Sequence, residues 1–194
     1  MTDTTVQDRP RRPIDRIRFL LEGYMSKADR TRWGTARSLA DVGELTAAWL
    51  HGEIRQTPTH SGPPQDETIP YTDVLTAVNR AGFVTDNSQA AASGDWGECE
   101  AYVSGLVSKE TLTRVLAALD ATPLVIDGAR GRDKLGNGSR RAWRDTVSFT
   151  TQRCPRAARE IRAAWHITIT DPEPGRNDRL WPALSAFAAP GKEI

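Results

Sequence analysis

The spacing of apolar residues along the chain predicts a series of amphipathic helices. Ser38 precedes an apolar stripe that begins at Leu39 and runs to Trp49, which is typical of a capped helix with one face on a core. Pro and Gly mark several helix ends, because proline fits the first turn and glycine the position after the last. The predicted helices cover residues 14–24, 38–52, 72–81, 108–119, 155–165 and 180–187.

Shorter stretches alternate apolar with polar residues or are apolar throughout, which favours strands. The predicted strands cover residues 83–85, 101–107, 124–126, 147–149 and 167–169. Residues 51–65 and 127–144 lack apolar periodicity and are predicted as loops. Because helices and strands interleave, we expect one mixed α/β (α+β) domain with a β-sheet core surrounded by helices.

Length and charge narrow the classes of function. A chain of 194 residues supports one domain with a buried core, which we assign to residues 14–190 after a polar, basic arm at 1–13. With 26 basic and 25 acidic side chains the net charge is +1, so neither nucleic acid nor an anionic membrane is a favoured partner. The chain has no apolar run of about 18 residues and no signal-like start, and a cytoplasmic location is expected.

The cysteines and histidines indicate neither a metal centre nor a disulfide framework. Cys99 and Cys154 form no CxxC pair and are expected to be free thiols, and the three histidines lack metal-ligand spacing. No nucleophile, base and orienting group can be placed together, so catalytic residues stay unassigned. The basic residues at 130–144 are interpreted as a solvated loop, with a phosphate-binding surface as the alternative.

Four segments of the chain, in order, carry a resemblance to a known family. They are Arg32-Trp33-Gly34 with Gly43-Glu44-Leu45; Glu67-Thr68 with the string from Val78 to Gln89; Trp96-Gly97 with Ala101-Tyr102; and Ile169-Thr170-Asp171 with Asn177-Asp178 and Leu180-Trp181. Together they resemble the C-terminal regulatory domain of eukaryotic methylenetetrahydrofolate reductase, and the second segment is the most specific. The Trp-Gly-Thr-Ala-Arg-Ser-Leu and Asp-Pro-Glu-Pro-Gly-Arg-Asn strings also resemble an uncharacterised group of actinobacterial proteins, which implies no function.

The resemblance to the reductase domain implies a ligand. That domain binds S-adenosylmethionine as an inhibitor and S-adenosylhomocysteine as its competitor. The residues that the resemblance makes ligand contacts are Glu67, Thr68, Thr85 and Ser88, with a further threonine from a later strand supplied by Thr150 or Thr151. Two departures matter: the chain has no barrel for flavin or folate, so reductase activity is not implied, and Ala90 stands where the family has a proline.

The residue types suit this ligand. A carboxylate can accept hydrogen bonds from ribose hydroxyls or an ammonium group, and hydroxyls can serve the amino-acid head or the adenine edge. The rings of Trp33, Trp96 or Phe83 are candidates to face the sulfonium. Local chemistry alone also allows a plain helix start at 67–68 and a strand end with an Asn-Ser turn at 85–89.

Three functions are therefore open from the sequence. The leading hypothesis is a free-standing sensor or carrier domain for S-adenosylmethionine or S-adenosylhomocysteine, whose occupancy alters contact with a protein partner. The second is an enzyme, a methyltransferase or a lyase, that consumes S-adenosylmethionine in the same pocket. The third is a protein-interaction domain that kept the fold and lost the ligand.

Overall fold

A five-stranded antiparallel sheet organises the residues that the computed structural model describes, which are 25–94 and 97–189. Its order is β1-β4-β7-β5-β6, with β1 at one edge, and β2 and β3 form a separate two-stranded sheet. The strands are β1 (Phe83–Gln89), β2 (Ala92–Gly94), β3 (Gly97–Cys99), β4 (Tyr102–Val107), β5 (Val125–Arg130), β6 (Asp133–Leu135) and β7 (Trp165–Thr170).

Seven α-helices and two 3-10 turns, Ile69–Tyr71 and Pro155–Ala157, complete the described part of the chain. The helices are α1 (Lys27–Thr35), α2 (Leu39–Leu50), α3 (Thr72–Arg80), α4 (Lys109–Leu119), α5 (Arg140–Arg153), α6 (Ala158–Ala163) and α7 (Leu180–Ala188). Four of them begin after a serine whose hydroxyl accepts the backbone N–H three residues on, which satisfies a donor that a helix start leaves unpaired. These serines are Ser26, Ser38, Ser108 and Ser139.

Apolar side chains fill both faces of the sheet. On one face Phe83 and Ile167 pack with α4 and α7, and on the other Val84 and Leu106 pack with α1, α5 and α6. Neighbouring residues on a strand point to opposite faces, so one short strand serves both cores. The prediction of a mixed α+β domain with helices around a sheet is confirmed. The limits at 1–13 and 14–190 stay predictions, because residues 1–24 and 190–194, including the predicted helix 14–24, lie outside the described residues.

The predicted strand at 147–149 is wrong, because these residues lie in α5. Thr146, Val147 and Thr150 are buried at helical spacing, whereas Phe149 is 53% exposed. The buried face of α5 is thus mostly threonine. Because the prediction used apolar positions alone, the spacing of Val147 and Phe149 was mistaken for the alternation of a strand.

The loop predicted at 127–144 is largely wrong as well. Strand β5 continues to Arg130, and β6 returns beside it after a turn at Gly131, where φ is +58°. Asp127 accepts the backbone N–H of Asn137 at 2.7 Å, which secures the connection to α5. Likewise the helix predicted at 155–165 ends at Ala163, and Trp165 opens β7.

Candidate functional site

A cleft lies beside β1, where the edge of the sheet meets α2 and the chain that joins α2 to α3. Two adjoining cavities form it, the first of about 50 Å³ and the second of about 20 Å³. Thr85 and Asp86 line both of them. Residues 56–62, which we call the covering loop, lie against both cavities through Thr57, Pro58 and His60. The cleft is therefore bounded by strand β1 on one side and by the covering loop on the other.

Three of the predicted ligand residues line the first cavity: Thr68, Thr85 and Ser88. Within the part of the chain that the structure describes, the hydroxyls of Thr68 and Ser88 make no hydrogen bond. Thr68 is buried yet does not cap the following 3-10 turn, and β1 runs on through Ser88 instead of ending in a turn. Two hydroxyls at this cavity thus keep their full hydrogen-bonding capacity.

Glu67, the fourth predicted residue, is exposed and does not line either cavity. It lies near Tyr102, whose hydroxyl accepts a hydrogen bond from the Asn87 amide at 2.9 Å. Burial raises the pKa of Tyr102, and the negative charge of Glu67 raises it further. Glu67 directly precedes Thr68, which lines the first cavity, but its own side chain lies outside the cavity.

Thr85 is held in place by the buried amide of Asn79. The Asn79 Nδ2 group donates to Thr85 Oγ1 and to the carbonyl oxygen of Leu75, each at 2.8 Å, and Asn79 Oδ1 accepts the backbone N–H of Thr85 at 3.0 Å. Gly82, with φ at +94°, makes the turn between them possible. The Asn-Arg-x-Gly part of the second segment is therefore structural, and it leaves the Thr85 hydroxyl proton available to donate.

The sequence reasoning missed a polar cluster around Asp86. The pairing of β1 with β4 shifts register between Thr85 and Asn87, so Asp86 is the extra residue of a β-bulge. Its Oδ1 accepts from Ser104 Oγ at 2.7 Å, and its Oδ2 accepts from Thr146 Oγ1 at 2.6 Å and contacts His166 Nε2 at 2.9 Å. The Asp86 side chain is only 12% exposed and that of His166 8%.

The Asp86 carboxyl is held in its charged form. Burial by itself raises the pKa, but the hydrogen bond and charge interaction with His166 and the hydroxyls of Thr146 and Ser104 outweigh it, so the pKa lies below the ordinary 3.8. An ionised carboxylate only accepts hydrogen bonds, so the proton shared with His166 sits on Nε2. The alternation of side chains along a strand predicts that Asp86 shares a face with Val84 and that Ser104 shares a face with Leu106. It does not predict that Asp86 and Ser104 are neighbours.

The two alternatives for a further threonine, Thr150 and Thr151, lie on α5 and not on a strand. Thr150 is buried and lines the second cavity, although its hydroxyl donates to the carbonyl oxygen of Thr146 at 2.7 Å. Thr151 lies outside both cavities, and its hydroxyl donates to the carbonyl oxygen of Ser148. Of the two, only Thr150 is brought to the cleft.

The aromatic side chain at the cleft is Trp49. Its ring meets His60 edge-on at 5.5 Å between centroids, and its Nε1 donates to the carbonyl oxygen of Gly62 at 2.9 Å. Trp33 and Phe83 are fully buried in the two cores and cannot face a ligand, and Trp96 lies outside the described residues.

The cavities are small in this conformation. The first measures about 50 Å³ and the second about 20 Å³, whereas sites for small organic ligands usually measure ~300–1,000 Å³. A groove of about 550 Å³ runs between α3, α4 and the end of α7. Its two guanidinium groups are already engaged, Arg80 with Glu44 and Arg114 with the carbonyl oxygen of Ala81.

Other residues of the resemblance serve the fold. In the fourth segment, Asn177 both donates to and accepts from the backbone of Ala91, and Trp181 Nε1 donates to Asn177. Within the described ranges, no group of three or more His, Cys, Asp or Glu side chains is placed to hold a metal ion. None of the helices described is long and apolar enough to cross a membrane.

Two comparisons with known proteins bear on the cleft. The family model described as a domain of unknown function (DUF6919) matches residues 28–137, which include Glu67, Thr68, Thr85 and Ser88 but neither Thr150 nor Thr151. Methylenetetrahydrofolate reductase 1 of Schizosaccharomyces pombe is 33% identical over 98 residues, 46% of this chain and 16% of the reductase. The chain thus spans a small part of that enzyme.

Proposed function

This chain belongs to the DUF6919 family, a domain of unknown function, and we propose that it is a sensor domain that binds S-adenosylmethionine or S-adenosylhomocysteine in the cleft beside β1. One observation carries the proposal: Thr68, Thr85 and Ser88, from two separate stretches of chain, line the same cavity. The resemblance to the reductase regulatory domain selects these positions, and packing for the fold alone does not require these residues to line one cavity.

The groups at the cleft match the functional groups of the ligand. The hydroxyls of Thr68 and Ser88 can both donate and accept, as the amino-acid head and the adenine edge require. Glu67, next to Thr68 in the chain, can accept a hydrogen bond from the ribose diol or a charge-assisted one from the ammonium group. Trp49 offers a ring against which adenine can stack.

Binding in this cleft requires the covering loop to move, because the present cavities are too small for a nucleoside. The loop is held at its two ends, where Trp33 Nε1 donates to the carbonyl oxygen of Gln56 and Trp49 Nε1 to that of Gly62, each at 2.9 Å. A ligand that binds only the open form shifts the population toward it. The displaced loop is then the surface through which ligand binding alters contact with a protein partner.

Thermal unfolding with each ligand tests the proposal. We expect the native chain to gain stability with ligand concentration, about 2.7 kcal/mol at 100 times Kd. The Ser88→Ala variant should lose much of this gain while its ligand-free stability stays near native, since the Ser88 hydroxyl makes no hydrogen bond among the described residues. Ser148→Ala, an exposed serine on α5, is the matched control and should respond like the native chain. No shift of the native chain with either ligand would refute the proposal.

A further inference from the structure

Acidic side chains lie at the cleft or next to it in the chain. Asp86 lines both cavities and Glu67 directly precedes Thr68, which lines the first, whereas no lysine or arginine lines either cavity in the described part of the chain. The neighbouring titratable side chains are two histidines, His60 at the first cavity and His166 behind Asp86. A molecule that enters the cleft therefore meets the Asp86 carboxylate and, among the described residues that line the two cavities, no lysine or arginine.

The Asp86 carboxylate is fixed in direction by groups from three elements. Ser104 belongs to β4, Thr146 to α5 and His166 to β7, and all three donate hydrogen bonds to it. Three donors leave about one of the roughly four acceptor positions of a carboxylate unused, and Oδ1, which accepts only from Ser104, has the spare capacity. The His166 imidazole and two hydroxyls thus orient this carboxylate.

We propose that Asp86 determines ligand specificity and makes the cleft prefer the sulfonium cation of S-adenosylmethionine over the uncharged thioether of S-adenosylhomocysteine. This inference rests on the proposed function, since it concerns which of two ligands the same cleft selects. The two molecules differ by one methyl group and one positive charge. In a partly buried cleft a charge pair is screened far less than in water, so the charge decides between them.

Isothermal titration calorimetry of the native chain with three ligands tests whether the positive charge of the ligand raises its affinity. The third is sinefungin, in which a carbon that bears a protonated amine replaces the methylated sulfur, so it is cationic at this position without being a sulfonium. We expect S-adenosylmethionine and sinefungin each to bind at least about tenfold more tightly than S-adenosylhomocysteine. Because the ligand is varied and not the protein, this comparison does not depend on the folding of a variant.

Two variants then test which carboxylate of the protein distinguishes the two ligands. Asp86→Asn should bring the affinities for S-adenosylmethionine and S-adenosylhomocysteine to within about threefold, mainly by weakening the former. Glu67→Gln should weaken both ligands alike, because the ribose and ammonium groups that it serves are common to both. Melting of the ligand-free variants checks that they are folded.

The outcomes separate the two proposals. If neither ligand binds the native chain, the proposed function fails and the inference fails with it. If both bind with equal affinity, or if Asp86→Asn is folded and retains the native preference, the inference is overturned and the proposed function stands. A preference for S-adenosylmethionine that is lost in Asp86→Asn and kept in Glu67→Gln supports the inference.

Discussion

At the scale of single residues, close backbone contacts fix the geometry of the cleft. Gly43 on α2 faces α3 so closely that a Cβ atom there would lie 2.5 Å from the carbonyl oxygen of Asn79. Asn79 in turn positions Thr85. A side chain at position 43 would therefore displace the residue that sets one wall of the cleft.

Gly43→Ala should destabilise the domain by about 1–3 kcal/mol, because overpacking against a backbone atom cannot be relieved by a rotamer change. Gly34→Ala is the matched control, since Gly34 is also helical and a Cβ atom there would meet no other atom within 4 Å; it should be neutral or stabilise by up to about 1 kcal/mol, because alanine is the better helix former. Urea unfolding followed by circular dichroism measures both. Equal midpoints for the two variants would contradict the close approach of α2 and α3.

The two free cysteines differ in environment at the same scale. Cys154 is completely buried, and burial raises its pKa to about 12, so it carries almost no thiolate at neutral pH. Cys99 is partly exposed. Iodoacetamide should therefore modify Cys99 in the native protein and Cys154 only after denaturation, which peptide mass spectrometry detects. Labelling of Cys154 before Cys99 would show that the apolar core around Cys154 opens readily.

At the scale of elements, the covering loop is a short turn attached by two indole groups. Between its ends the hydroxyl of Thr57 accepts the backbone N–H groups of Thr59 and His60, which closes the turn on itself. The loop is thus closed on itself, and hydrogen bonds from Trp33 and Trp49 attach its ends at Gln56 and Gly62.

Trp49→Phe removes the hydrogen bond to Gly62 and should speed amide hydrogen exchange in residues 57–62, because a lost hydrogen bond weakens the attachment by about 0.5–1.5 kcal/mol. Trp143→Phe is the control: it removes an indole hydrogen bond to the carbonyl oxygen of Ala164, away from the loop. Hydrogen exchange followed by mass spectrometry should show faster exchange in the loop for the first variant alone. The same change in both would mean that Trp49 does not hold the loop.

At the scale of the whole molecule, the cluster around Asp86 ties the edge strand to the centre of the sheet and to a helix. Asp86 on β1 reaches β4, β7 and α5 through Ser104, His166 and Thr146. Its lowered pKa means that folding favours the charged form. This contribution to stability is present above the ordinary carboxyl pKa of 3.8 and is lost as the pH falls through the lowered value.

Asp86→Asn should therefore flatten the fall in stability on acidification below pH 3.8, besides lowering stability at neutral pH. Asp145→Asn on α5 removes only an exposed ion pair with Arg141 and should keep the native pH dependence. Urea unfolding at a series of pH values measures both. An unchanged acid dependence in Asp86→Asn would show that this carboxyl does not couple folding to protonation.

Local patterns determined much of this protein. Serine caps, apolar stripes and glycine stops predict α2, α3 and α4, because capping and amphipathicity act within a few residues. The motif from Val78 to Gln89 covers the end of α3 and the whole of β1, the strand that carries the predicted ligand residues Thr85 and Ser88. By contrast, the threonine-lined face of α5 carries no apolar signal, and the strand predicted there was wrong.

Only the tertiary structure decided what the cleft contains. Asp86 meets His166 across 80 residues and Thr146 across 60, and neither pairing leaves a mark in local sequence. The order of strands in the sheet brings the first pair together, and the packing of α5 on the sheet brings the second. Sequence specifies short-range backbone preferences, whereas contacts between distant residues arise when burying apolar faces forces their elements together.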